Sequence, residues 1–146
     1  MLDRSFIGHQ FDPHTVEIEK GRLRFFAQTI GETNPIYFDE SAARDAGYKS
    51  IPVPPTFPFS IDLESPDFLP VLGLLKMDLG RILHGSQEFE YLQPICAGDT
   101  ITCQTVLKDM FDKKGGALEF VVLETTFTNQ DGEEVVKTTQ SLVYRN

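Results

Sequence analysis

The spacing of apolar side chains changes part-way along the chain, from a helical period in the first half to alternation in the second. In the segment 17–30, EIEKGRLRFFAQTI, apolar side chains recur every three or four residues between charged ones. This spacing predicts an amphipathic helix over 17–30 that ends at Gly31. A second, short helix is predicted over 39–45, because carboxylates stand at its start and Gly47 follows it.

The chain from Ile82 onward is predicted to form strands. Four segments alternate apolar and polar residues or are rich in β-branched residues: GSQEFEYLQPI, GDTITCQTVLKDMF, ALEFVVLETTFTNQ and VVKTTQSLVYR. Glycine-containing turns, DKKGG and DGEE, separate the last three. Consecutive strands with short connections predict an antiparallel meander, to which an early strand near 14–17 is added. The expected fold class is therefore α+β.

A proline-rich segment lies between the two halves. Residues 51–58, IPVPPTFP, hold four prolines in eight residues, so this segment is expected to be extended or irregular. The overlapping stretch 56–64 is rich in phenylalanine and predicts a buried helix, with Pro58 in its first turn, where a missing N–H costs least. The sheet is expected to wrap around this helix. Residues 66–80 are apolar without a clear period and predict no particular element.

Composition and charge restrict the class of protein further. A chain of 146 residues, 40% hydrophobic and 24% charged, is predicted to form one domain over residues 1–146 that needs no disulfide or metal to fold. Its two cysteines, Cys96 and Cys103, lack the spacing of a zinc site, and no metal or cofactor is expected. The net charge of -9, without a basic cluster, argues against a nucleic-acid partner.

The sequence also predicts the location of the protein. The first residues, MLDRSFIGHQF, contain charged side chains before any apolar run and do not resemble a secretory or transit segment. No apolar stretch approaches the roughly 20 residues that span a bilayer, so no membrane partner is expected. We therefore expect a cytoplasmic protein.

Several motifs in order along the chain resemble one family. GETNPIYFDESAARDAGY, then PVPPTF, then LHGSQEFEY and PICAGD are similar to the N-terminal-type branch of the MaoC-like dehydratase/hydratase family. The resemblance implies a hotdog fold, in which an antiparallel sheet wraps around a central helix. It also implies similarity to the non-catalytic subunit of (3R)-hydroxyacyl-ACP dehydratases.

The family's hydratases carry a loop of pattern D-x-N-P-x-H, whose Asp and His hold and activate a water. Transferred to this chain, Glu32 falls at the Asp, Asn34 and Pro35 match, and Tyr37 falls at the His. Glutamate keeps the carboxylate, but a phenol with a pKa of about 10 is a poor base near neutral pH. The resemblance therefore implies a degenerate catalytic dyad. Without the family match, Glu32 and Tyr37 are equally consistent with a surface carboxylate and a half-buried aromatic.

A second family feature is altered at the start of the predicted central helix. The hydratases carry His-Gly there, and the glycine N–H polarises the thioester carbonyl. Pro54 and Pro55 occupy these positions and have no N–H to donate. The N–H or the hydroxyl of Thr56 is the donor that remains.

The function implied by the resemblance is that of a hotdog subunit of a (3R)-hydroxyacyl-thioester dehydratase or enoyl-CoA hydratase. It would bind acyl-CoA or acyl-ACP as a homodimer, or as a heterodimer with a catalytic MaoC-like chain. One alternative is a homodimeric acyl-thioester binding or regulatory protein without turnover. Another is a self-sufficient hydratase that uses Glu32 with Tyr37 or His84.

Further side chains are candidates for substrate contacts. Phe57, Phe59 and Leu63 are predicted to wall an acyl tunnel, because a phenylalanine-rich helix can leave a slot for an alkyl chain. The tunnel mouth is expected near the dimer interface, where the loop 31–37 and the segment 51–58 converge. Asn34, Pro35, Pro55 and Thr56 are the candidate substrate contacts there. Candidate phosphate contacts are four cations: Arg44, Lys49, Lys76 and Arg81. His9 and His14 are expected in solvent.

Overall fold

A five-stranded antiparallel sheet forms the body of the molecule, in a computed structural model that describes residues 1–146. The strand order across the sheet is β1-β3-β4-β5-β2. The strands are β1 His14–Glu17, β2 Ile82–Tyr91, β3 Thr100–Lys113, β4 Leu118–Thr128 and β5 Glu134–Arg145. The predicted strands and the early strand near 14–17 are therefore present.

The predicted four-stranded meander is wrong in one respect. Strands β3, β4 and β5 are joined by hairpins, but β2 pairs with β5 at the far edge instead of with β3. The segment 92–99 forms no hairpin with β3, because Leu92 and Gln93 donate to Val135 O of β5 and residues 95–98 bond to the first half of the chain. Val53 N–H donates to Ile95 O at 2.9 Å, and Ala97 N–H donates to Ile51 O at 2.8 Å.

The helices lie in the first half of the chain. They are α1 Lys20–Thr29, α2 Glu40–Asp45, α3 Phe57–Asp62 and α4 Pro70–Leu75, with short 3-10 turns at Arg4–Phe6, Pro35–Tyr37 and Leu79–Arg81. Helix α1 begins three residues later than predicted, because the buried Ile18 extends the strand region and its N–H donates to Asp99 O. No helix has the length and apolar character needed to cross a membrane.

Helix α3 is the central helix around which the sheet is arranged. Phe57, Pro58 and Ile61 are its buried residues. Phe57 and Ile61 share one apolar cluster with residues of four strands: Val16, Ile101, Cys103, Phe127, Val135 and Val136. A second apolar cluster, around Leu107, Val121 and Leu142, packs beneath α4. Both cysteines are buried and unpaired, as small apolar residues would be.

The turn before β3 is held by a buried carboxylate. Asp99 is 2% exposed and accepts hydrogen bonds from the Cys96 N–H at 2.9 Å, the Gln130 amide at 3.0 Å and the Lys49 ammonium. Burial alone would raise the pKa of Asp99, but these hydrogen bonds hold it below the ordinary value. The carboxylate therefore stabilises the folded state in its ionised form.

Asp99→Ala is expected to lower the free energy of unfolding at pH 7 by about 1–3 kcal/mol, because the buried Cys96 N–H loses its acceptor. Urea denaturation measures this loss, with the exposed Asp67→Ala as control. The pKa of Asp99 in the folded protein lies below its ordinary value of 3.8. The carboxylate therefore contributes fully to stability above pH 3.8, and this contribution is lost as the pH falls through the pKa of the folded state. If the loss of unfolding free energy in Asp99→Ala stayed constant below about pH 4, it would not come from the ionised carboxylate.

Candidate functional site

A cavity of about 370 Å³ lies where the proline-rich segment faces the end of β2. We call it the tyrosine cavity because three tyrosines line it: Tyr37, Tyr48 and Tyr91. The remaining walls are mostly apolar, from residues 52–55 and 92–95. The loop after α1 and the proline-rich segment therefore meet at this cavity.

Two tyrosine hydroxyls in this cavity remain protonated near neutral pH. Although Tyr91 is 40% exposed, its hydroxyl donates to Pro55 O at 2.8 Å. Burial, followed by the nearby Tyr37, raises the pKa of Tyr91 well above its ordinary value. Burial also raises the pKa of Tyr37, and the negative charge of Glu32 raises it further. Neither hydroxyl can serve as a base near neutral pH, and Tyr37 is the one of the two whose O–H is not already donated within the chain.

The loop that carries Glu32 is ordered by its own polar side chains. The Glu32 carboxylate accepts from the Thr33 N–H at 3.1 Å and the Asn34 N–H at 3.3 Å. Asn34 caps the 3-10 turn, with Oδ1 accepting from the Ile36 N–H at 3.2 Å, and Pro35 occupies the first position of that turn. Asn34 and Pro35 are exposed and do not line the cavity. Their role is to start the 3-10 turn that places Tyr37 in the cavity wall.

A second depression of about 280 Å³ continues along β2. We call it the phenylalanine groove; its lining residues are Phe26, Thr56, Phe59, Ser60, His84, Gln87 and Phe89. The two depressions adjoin, because Pro55 and Tyr91 line the first while Thr56 and Phe89 line the second. Together they form one open cleft beside the start of α3.

A β-bulge turns two polar side chains into the groove. The register between β2 and β5 shifts between His84 and Ser86, so His84 and Gln87 both face the groove and their side chains lie 3.2 Å apart. A Cβ at Gly85 would stand 2.9 Å from a methyl of Val143, so glycine is required at the bulge. The His84 ring contacts Phe59 edge to face, with centroids 5.4 Å apart.

The candidate residues from the sequence are divided among several places. Tyr37 and Pro55 share the tyrosine cavity, and Thr56, Phe59 and His84 share the groove. The three predicted tunnel walls do not line one tunnel: Phe57 is 3% exposed and packs in the core against Phe26, whereas Leu63 borders a separate cavity beside Asp62. The helical period of about 3.6 residues explains this, since residues two positions apart, such as Phe57 and Phe59, point to nearly opposite faces of α3.

The four predicted phosphate contacts are also dispersed. Lys49 pairs with Asp99, Arg44 pairs with Glu40, and Arg81 lies over the ring of Tyr144, while Lys76 caps the end of α4. None of the four lines the cleft. His14, expected in solvent, is partly buried, and its Nε2 lies 3.1 Å from Ile61 O.

Sequence reasoning missed Tyr48 and Tyr91. The signal for Tyr91 is present, because Gln87, Phe89 and Tyr91 alternate along β2 and therefore share one face. Tyr48 lies in a loop, where no period indicates which way a side chain points.

Comparison with known proteins is decisive for the family. Residues 5–138 match the model of the FAS1-like dehydratase domain region. The chain belongs to this dehydratase-domain family. It is 34% identical over 145 residues to the UPF0336 protein of Thermobifida fusca, covering 99% of this chain and 94% of that one. The UPF0336 protein of Streptomyces griseus is likewise 34% identical, with 99% and 95% covered.

Solved structures of dehydratases share the fold. The HadBC (3R)-hydroxyacyl-ACP dehydratase complex of Mycobacterium tuberculosis is matched at 25% identity and a TM-score of 0.80, covering 94% of this chain and 96% of that one. A MaoC-like dehydratase is matched at 22% identity and a TM-score of 0.85. The match covers 97% of this chain and 43% of that one. The MaoC-like hotdog fold predicted from the sequence is confirmed.

Proposed function

We propose that this dehydratase-domain chain is the acyl-thioester-binding hotdog subunit of a (3R)-hydroxyacyl-thioester dehydratase or enoyl-thioester hydratase. The observation that carries the proposal is the tyrosine cavity, which has a dehydratase-family fold around it but a high-pKa phenol, Tyr37, where the family places a histidine. The proposed partner is a second MaoC-like chain with an intact D-x-N-P-x-H loop. The likeness to a chain of the HadBC complex supports this arrangement.

The tyrosine cavity is proposed to hold the thioester end of the ligand. The phenols of Tyr37 and Tyr48 are hydrogen-bond donors set among apolar walls, which suits a carbonyl oxygen more than a charged group, while the Tyr91 hydroxyl already donates to Pro55 O. The missing N–H groups of Pro54 and Pro55 leave Thr56, exposed at the start of α3, as the nearest backbone donor. This set can orient a thioester but cannot remove a proton from it.

The acyl chain is proposed to lie in the phenylalanine groove. Phe26, Phe59 and Phe89 present three aromatic faces along the direction of β2, next to the cavity that would hold the thioester. Because the groove is open on one side, a chain packed against β2 would close it. The carrier, CoA or acyl carrier protein, would then remain outside the cleft.

The closing chain is proposed to pair with β2. This ten-residue strand is a free sheet edge, with Leu83 51% exposed on it and Leu92 48% exposed just beyond it. A long unpaired edge with apolar side chains is stabilised by a second copy across a two-fold. In sedimentation velocity at micromolar concentration the isolated chain is therefore expected to be a dimer. A monomer at that concentration would contradict the proposal for β2.

Binding of acyl-CoA should become tighter with chain length until the groove is full. Each buried methylene adds up to about 0.8 kcal/mol, so calorimetry with C4, C8 and C12 acyl-CoAs should give successively lower Kd values. Phe59→Ala should weaken binding of the longer chains, whereas Phe68→Ala, 57% exposed and outside the cleft, should not. Equal affinities, or no binding, would mean that this chain is a structural partner only.

A further inference from the structure

A small cavity, apolar over most of its wall but with polar side chains on one part, lies at the far end of the central helix. It measures about 40 Å³ and lies between the end of α3 and the sheet. We call it the Asp62 cavity; it is lined by the polar residues Asp62, Thr105 and Gln140 together with Phe11, Leu63 and Leu123. About 40 Å³ is open to the centre of a water-sized group, and about 10–15 Å³ of such space suffices for one water, so a hydroxyl group fits.

The cavity belongs to a polar row that crosses the inward face of the sheet. Thr105, Thr125 and Thr138 are register partners on β3, β4 and β5, and Gln140 follows two residues later on the same face. The row separates the two apolar clusters of the core. The Asp62 carboxyl accepts from the hydroxyl of Thr125 at 3.3 Å and approaches that of Thr105 at 3.5 Å.

Gln140 makes this row more than a set of satisfied side chains. Gln140 is 6% exposed, and its side-chain amide makes no hydrogen bond to another group of the chain. Every fully enclosed side-chain nitrogen or oxygen of the protein has a hydrogen-bond partner, so the amide atoms of Gln140 are not fully enclosed. Its amide atoms therefore border the Asp62 cavity. An amide that is more than nine-tenths buried and faces a cavity offers N–H donors and a carbonyl acceptor to an occupant.

The Asp62 cavity and the phenylalanine groove share no lining residue, but both border α3 and a pair of neighbouring strands. On α3, Phe59 faces the groove, and Asp62 and Leu63 are three and four residues further along the same helical face. On the sheet, Gln87 of the groove is the register partner of Gln140. An acyl chain that follows the groove toward the end of α3 therefore points at the Asp62 cavity.

We propose that the Asp62 cavity binds a hydroxyl group on the distal part of the acyl chain, so that the ligands of this chain are hydroxylated acyl thioesters. The proposal rests on the proposed function, since it takes the groove as the acyl site. A hydroxyl can donate to the Asp62 carboxyl and accept from the Gln140 amide, which a methyl group cannot do. Burial already raises the pKa of Asp62, against the opposing effects of His14 and the two threonines, so a distal carboxylate is disfavoured there.

The test is calorimetry with octanoyl-, decanoyl- and dodecanoyl-CoA, each compared with its ω-hydroxyl and ω-carboxyl analogue. At the length that reaches the cavity, the ω-hydroxyl compound is expected to bind about five- to tenfold more tightly than its parent. The ω-carboxyl compound is expected to bind more weakly than the parent. Gln140→Leu should abolish the preference for the hydroxyl, whereas Thr139→Val, its neighbour on the opposite face of β5, should keep it.

The outcomes separate this proposal from the one on which it rests. If the parent acyl-CoAs bind but no ω-hydroxyl analogue is preferred at any length, the cavity holds water only and this proposal is overturned while the proposed function stands. If no acyl-CoA binds, both are overturned. Gln140→Leu is expected to remain folded, because it replaces an amide without a protein partner by an apolar side chain of similar size, and a thermal melt of the variant checks this.

Discussion

Purified by itself, the chain is expected to hydrate crotonyl-CoA at or near the background rate. On the proposed function, Tyr37 stands in place of the base, and burial and the charge of Glu32 raise the pKa of this phenol further above neutral pH. General acid–base catalysis contributes about 10²–10⁴-fold to such a reaction, and the loss of one oxyanion donor costs about 10²–10³-fold more. On the proposed function, Pro54 and Pro55, which have no N–H, occupy the position of that donor. The combined deficit places turnover below detection in a standard absorbance assay.

The control for this prediction is the same assay on the complex isolated from the native host, in which mass spectrometry identifies the partner chain. The complex is expected to turn over. Robust turnover by the isolated chain that is lost in Glu32→Ala or His84→Ala would instead establish the self-sufficient hydratase. His84 is the variant to include because it is the one imidazole that lines the cleft.

Phe57→Ala is expected to be the most destabilising substitution in the central helix. The ring is 3% exposed, packs edge to face on Phe26 with centroids 5.1 Å apart, and belongs to the cluster that joins α3 to the sheet. Truncating a buried phenylalanine costs about 3–5 kcal/mol, which urea denaturation measures directly. The folded fraction of Phe57→Ala is expected to bind acyl-CoA nearly as tightly as the wild-type chain, because the Phe57 ring does not line the cleft.

Phe59→Ala is the matched control two residues away. Its side chain is half-buried and contacts His84 across the groove. We expect a smaller loss of stability than for Phe57→Ala and a larger loss of long-chain acyl-CoA affinity. A larger loss of affinity in folded Phe57→Ala than in Phe59→Ala would mean that the acyl chain runs through the core side of α3. A larger loss of stability in Phe59→Ala would contradict the assignment of Phe57 to the core.

Features set by local chemistry were predictable from the sequence. Helix α2 begins where expected because the Asp39 carboxylate accepts from the Ser41 N–H at 2.9 Å. Strands β3, β4 and β5 follow from alternation and from glycine at their turns. These elements depend on neighbours within a few residues, which the sequence displays directly.

Features set by distant contacts were not predictable in the same way. Strand β2 carries the same alternation whether it pairs with β3 or with β5, and the choice depends on where the segment 92–99 finds its backbone partners. The polar row was visible in principle, since Thr125, Thr138 and Gln140 occupy positions at which alternation points to the core. Their meeting with Asp62 depends on where α3 ends, which no local pattern indicates.

The most direct test of the division of roles is steady-state kinetics on the complex with its partner chain. Two variants are compared: Glu32→Gln with Tyr37→Phe in this chain, and replacement of the histidine in the partner's D-x-N-P-x-H loop. If this chain binds the thioester and the partner performs the chemistry, the first variant raises KM with kcat little changed, and the second lowers kcat by about 10²–10⁴-fold. A collapse of kcat in the first variant with full activity in the second would contradict the account.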